Sequence, residues 1–108
     1  MIYPLKQIWE FRSYVSLRGE CELADWYGKA SDNIQAAFDT RLKNLSQISQ
    51  WREPLATKLE NGDGLVEIRY KADGVQQRPI GFYGPNQRQF TILICATAKM
   101  TVLSLRTR

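Results

Sequence analysis

Histidine is absent from this 108-residue chain. The side chain that most readily carries a proton near neutral pH, and the commonest metal ligand, is therefore missing. Cysteine is nearly as scarce. Cys21 and Cys95 lie far apart and form neither a CxxC motif nor a disulfide framework, so both are expected to be reduced thiols. The cysteines and carboxylates do not cluster, which leaves no ligand set for a metal, and no cofactor is expected. Cys95 as a nucleophile would have no histidine to activate it. Apolar runs are short. The longest, "TILICATA", falls well below the roughly 20 residues that span a bilayer, and "MIYPLKQIWEF" has no unbroken apolar segment of the secretory kind. A cytoplasmic protein with no membrane contact is the expectation.

Acidic residues are also missing, but from one region only. Residues 1–54 carry seven basic and seven acidic side chains, whereas residues 55–108 carry eight basic and four acidic, so the second half holds the whole net charge of +4. After Asp73 the charged residues are Arg78, Arg88, Lys99, Arg106 and Arg108, with no acid among them. An anionic partner is expected on that half. What remains is ordinary for a folded domain: 44% hydrophobic, 24% charged and 11% aromatic residues, with no low-complexity tract. At this length a single domain with one core over residues 1–108 is expected.

Along the chain, residues 8–15 alternate as a half-buried strand, with Trp9, Phe11 and Val15 on one side. Beyond Gly19, "CELADWYGKA" has helical spacing of Leu23, Trp26, Tyr27 and Ala30. A longer helix follows, capped by Asp32 with Gln35 three places on, its stripe formed by Ile34, Phe38, Leu42, Leu45 and Ile48. "QWREPLATKLENGDG" reads as a connector. Asp73-Gly74 between two extended runs predicts a type I′ hairpin, and "YGPNQ" a looser second turn. "FTILICATA" is apolar on both faces, as in a central strand. The predicted fold is α+β: an N-terminal strand, two helices, then a three-stranded antiparallel meander with the helices on one side.

A two-residue turn at Asp73-Gly74 sets Arg69 opposite Arg78 and Lys71 opposite Gln76. One face then carries Glu67, Arg69, Lys71, Gln76 and Arg78, and the reverse carries Val66, Ile68, Tyr70, Val75, Pro79 and Gly81. Taking Gly84–Gln87 as the second loop puts Phe90, Ile92, Ile94 and Ala96 on the core side, with Thr91, Leu93, Cys95, Thr97 and Lys99 on the arginine side. Like charges set opposite each other on a sheet cost up to about 1 kcal/mol. The arginines therefore require either an internal carboxylate, for which Glu67 is placed, or an anion such as phosphate. Pro79 signals an edge or a bulge, beyond which the parity would shift. Of the large aromatics, only Phe82 falls on the arginine face, where it could stack on a base.

The stretch "KLENGDGLVEIRYKADGVQQRPIGFYGPNQRQFTILICATAK", with two helices before it, resembles the RelE/ParE-type toxins of bacterial toxin-antitoxin systems, in particular their HigB-like, phage-associated branch. The resemblance implies a RelE-like fold, a cognate antitoxin partner of helix-turn-helix type, and action as a ribosome-dependent messenger-RNA endonuclease; ParE-type members poison DNA gyrase instead, and an inactive relic would keep only the fold and antitoxin binding. Carried over by position, Arg69, Arg78 and Lys99 would hold the scissile phosphate, Lys99 or Lys71 would accept the 2′-hydroxyl proton, and Tyr83 or Arg78 would supply one to the leaving oxygen. Lys71, Gln76, Phe82 and Arg88 are the expected further RNA contacts. Ala98 stands where an acidic residue is expected and Met100 where glycine is, and "MTVLSLRTR" leaves the C-terminal helix of the family short or absent.

Overall fold

The computed structural model describes residues 7–60 and 62–96. Over these residues the protein is α+β, with two helices and a mixed six-stranded sheet. In chain order the elements are β1 (Glu10–Ser13), α1 (Glu22–Lys29), α2 (Asp32–Ser46), β2 (Ala56–Lys58), β3 (Val66–Ile68), β4 (Tyr70–Ala72), β5 (Val75–Tyr83) and β6 (Gln89–Ala96). The sheet runs β1-β6-β5-β3-β2, and β4 also pairs with β5.

This sheet is larger than the N-terminal strand and three-stranded meander expected. The short β2, hidden in the supposed connector, pairs antiparallel with β3, and β1 lies parallel to β6 with Glu10 beside Gln89. The expected first hairpin strand is divided into β3 and β4 at Arg69. Pro79 accounts for the division: it has no N–H to donate, and the ladder to β5 is interrupted opposite it. The Arg69 amide donates instead to the Leu55 carbonyl at 3.0 Å. On both sides of the gap the register follows the hairpin turn as predicted, with Glu67 opposite Ile80 and Lys71 opposite Gln76. Asp73 and Gly74 take φ of 51° and 75°, the two positive values that a type I′ turn needs.

Both helices form where apolar spacing places them, with altered ends. Ser31, not Asp32, caps α2, its hydroxyl accepting from the Ile34 amide at 3.2 Å. At the other end, the indole N–H of Trp51 donates to the Leu45 carbonyl at 2.9 Å and that of Trp9 to the Ile48 carbonyl at 2.8 Å. The first adds a side-chain donor to a carbonyl that already accepts from the Ile48 amide, and the second ties the segment after α2 to the residue before β1. Leu23 of α1 and Phe38 and Leu45 of α2 pack on one side of the sheet with Val66, Ile68, Tyr70, Phe90, Ile92 and Cys95.

The pairing of β5 with β6 corrects the expected register. Arg78 lies opposite Ala96 and Ile80 opposite Ile94, but Gly81 lies opposite Ile92, so Leu93 is an extra residue and the parity changes there. Phe90 and Ile92 are on the core side as expected. Beyond the bulge Cys95 joins them, and Ala96 moves to the side of Arg78, the reverse of the prediction. The strands approach closely at this point, since a Cβ on Gly81 would collide with the Thr91 carbonyl oxygen.

Candidate phosphate-binding face

The interruption at Arg69 shapes the candidate site. Arg69 and Arg78 are not ladder partners; both are held by Glu67. Arg69 Nε donates to Glu67 Oε1 at 2.7 Å and Arg78 Nη1 to the same oxygen at 2.8 Å. Of the two anions proposed from sequence, the internal carboxylate is the one in place. Its side chain is only 2% exposed, against 44% for Arg69 and 23% for Arg78. The buried acid thus draws two guanidinium groups to one place while their outer edges reach solvent. A single carboxylate offsets only one of the two cations, so the trio keeps one net positive charge. Arg78 Nε is buried with no hydrogen-bond partner.

Around the trio, Lys71 is exposed and Gln76, its ladder partner, donates through Nε2 to the Tyr70 carbonyl at 3.2 Å. Phe82 is half-buried on the Arg78 side of β5, opposite Thr91. This face is not wet throughout, because Ile80 and Ala96 on it are buried. The structure therefore brings together Arg69, Arg78, Lys71, Gln76 and Phe82 on one face of the sheet.

Two other expected site residues, Tyr83 and Arg88, are not brought to it. Tyr83 alternates to the opposite side of β5, where its ring centroid lies 5.2 Å from Trp9, 5.6 Å from Trp51 and 5.2 Å from Phe90. Burial raises its pKa, so it holds its proton more tightly than a free phenol. Arg88 sits in the β5–β6 turn at φ of 61°, with its guanidinium carbon 5.5 Å from the Trp9 ring centroid and Nη1 donating to the Ser49 carbonyl at 3.4 Å. It belongs to the aromatic end of the molecule. Lys99 lies outside the described residues, as do Ala98 and the expected short C-terminus.

Cys95 is corrected from the arginine face to the core. It lies opposite Pro79, and burial pushes its thiol up to about 12, which removes thiolate chemistry near neutral pH. Near it, the Tyr70 hydroxyl is buried without a partner, and burial, together with the neighbouring Cys95, raises the phenol's pKa. Among the described residues no group of three or more His, Cys, Asp or Glu side chains could hold a metal.

One cation was missed. Arg41 of α2 lies with its guanidinium carbon 5.5 Å from the Tyr70 ring centroid. It sits three positions from Phe38 in an amphipathic helix, and nothing in that local pattern points to the edge of a sheet. The signal that could have found it is its lone positive charge on an otherwise uncharged helical flank with Ala37 and Asn44.

The assembled face can bind an anion through guanidinium donors fixed by a buried carboxylate, and among the described residues it holds no tyrosine or histidine to move a proton. Comparison with protein-family models, with curated proteins and with solved structures gives no match for this chain.

Proposed function

We propose that the protein is a RelE/HigB-like toxin, or a descendant of one, that engages messenger RNA at the ribosome through the Arg69–Arg78–Lys71 face and cleaves it without a metal. The observation that carries this reading is the pair of guanidinium groups held by one buried carboxylate oxygen, with a net positive charge left over. Guanidinium groups match phosphate oxygens in pairs, and donors fixed in advance stabilise charge that develops on a phosphate during attack by its own 2′-hydroxyl. With no histidine in the chain, the ribosome contributes much of the rate by orienting the message. Partners under this reading are the ribosome, messenger RNA and a cognate antitoxin, in a cytoplasmic setting. Among the described residues, no helix is long and apolar enough to cross a membrane.

Induction of the wild-type protein in bacteria should arrest growth and leave broken messenger ends. Arg78→Ala should abolish both while the purified variant keeps its circular dichroism spectrum. An Arg78→Ala protein that remains fully toxic removes the role assigned to this face.

A second reading is favoured by the position of Tyr83, which lies on the opposite side of β5 from Arg78 and leaves the phosphate side without a tyrosine proton donor. Here the face binds RNA or an antitoxin without cutting. Growth arrest or antitoxin binding with intact messages distinguishes it from the first.

A further inference from the structure

The β4 edge of the sheet continues the cationic face into a groove against α2. The groove has a volume of about 330 Å³, and its lining includes Thr40, Arg41, Asn44, Tyr70 and Lys71. It contains two cations, two hydroxyls and an amide but no carboxylate. Three other clefts mix signs: one pairs Glu10 with Arg88, another Glu53 with Arg52 and Lys58, and a third Glu20, Glu22 and Asp25 with Lys29. The α2 carboxylate nearest in sequence, Asp39, accepts a hydrogen bond from the Tyr27 hydroxyl at 2.8 Å, on the α1 side.

Lys71 joins the two regions. By register it shares a face with Arg69 and Arg78, yet it also lines the groove, because β4 pairs only with β5 and its other edge meets α2. Arg41 is held in place over the Tyr70 ring, a cation–π contact that orders the guanidinium without neutralising it.

We infer that this groove is a second phosphate subsite, so that a single-stranded RNA held at Arg69 and Arg78 passes over Lys71 and places a neighbouring backbone phosphate against Arg41, Thr40 and Asn44. The inference rests on the reading of the arginine face as an RNA site. RNA is favoured over an acidic peptide because charge lies at both ends of the path with Lys71 between them, the pattern that a regularly charged backbone requires.

The test is fluorescence anisotropy with end-labelled single-stranded RNAs of about 3 and about 12 nucleotides, spanning the range from one subsite to both. The proteins are wild type, Arg41→Gln, Lys71→Gln and Arg78→Ala. Arg41→Gln should weaken the longer RNA by about threefold to tenfold, lower the slope of log K against log salt by about 0.7, and leave the shorter RNA unchanged. Lys71→Gln, at an exposed position, should weaken both lengths, the longer one more, because Lys71 lies on the arginine face as well as in the groove. Arg78→Ala should weaken both lengths. Equal binding of the longer RNA by wild type and Arg41→Gln, with Arg78→Ala still impaired, overturns the groove and leaves the arginine face standing. Unimpaired Arg78→Ala with impaired Arg41→Gln keeps the groove and removes the face. Displacement of the RNA from the groove by polyglutamate of equal charge at equal concentration also overturns the inference.

Discussion

The two sides of the sheet bury polar groups in different ways. On the helix side, Tyr70, Gln77 and Cys95 are almost wholly inaccessible and all are neutral, the tyrosine and thiol kept protonated by burial. On the other side, an equally inaccessible carboxylate, Glu67, is held by two guanidinium groups that reach solvent. Burial disfavours charge in both places. The helix side meets that demand by protonation, and the Glu67 side by pairing, for which β3 must keep an acid two residues from one arginine and across the hairpin from another. Only the second arrangement leaves cationic donors at the surface.

The largest expected effect breaks the pairing. Glu67→Gln keeps the shape but removes the charge, and should destabilise the protein by about 3 kcal/mol in urea titrations, reduced from the fully buried case because both arginines are partly exposed. A variant as stable as wild type would show that the carboxylate does not hold this face together. Next, Gly81→Ala tests the close strand approach that both sides share. A Cβ there meets the backbone of Thr91 and the Phe90 ring, and a loss of about 2 kcal/mol is expected, or roughly 8–16 °C in Tm for a domain of this size.

The helix side is tested by pH. Burial raises the Cys95 pKa in the folded state, from an ordinary 9.0 to about 12, and raises Tyr70 in the same direction. Between the two values the folded state binds more protons than the unfolded one, so the associated stability is complete below about pH 9 and is lost as pH rises toward 12. Thermal melts should show this alkaline decline, and Cys95→Ala should flatten it. An unchanged profile in Cys95→Ala would assign the decline to other groups. The smallest effect belongs to Arg69→Ala. With its side chain 44% exposed, it should cost less than about 1 kcal/mol, and comparison with Arg78→Ala separates the contribution of each arginine to stability from its contribution to binding.

Local chemistry made part of this structure legible in the sequence. Asp73-Gly74 dictates a turn by its positive φ values, and the register that follows put Glu67, Arg69, Lys71, Gln76 and Arg78 on one face with no knowledge of the rest. Pro79 likewise announced a disturbed ladder. The bulge at Leu93 was not legible, because "FTILICATA" is apolar on both faces and a one-residue slip leaves no mark in such a pattern. That is why Cys95 was assigned to the wrong side. Tyr83 is misplaced for a different reason, since the need for a proton donor supplies its role without reference to the alternation of β5. β2 is three residues long and lies within polar surroundings just after Pro54, and β1 finds its partner 79 residues away; neither leaves a local periodic signal.

The pairing of β1 with β6 also orders events in time. Of the described strands, the first to leave a ribosome pairs with the last, so β1, with Trp9 and Phe11 beside and within it, waits for the other strands before it can dock. A nascent chain halted before residue 89 would have both helices and the Glu67 hairpin available but no strand beside which to close. Synthesis of β6 is thus the event that completes this sheet, and a product cut short before it would be open to proteolysis.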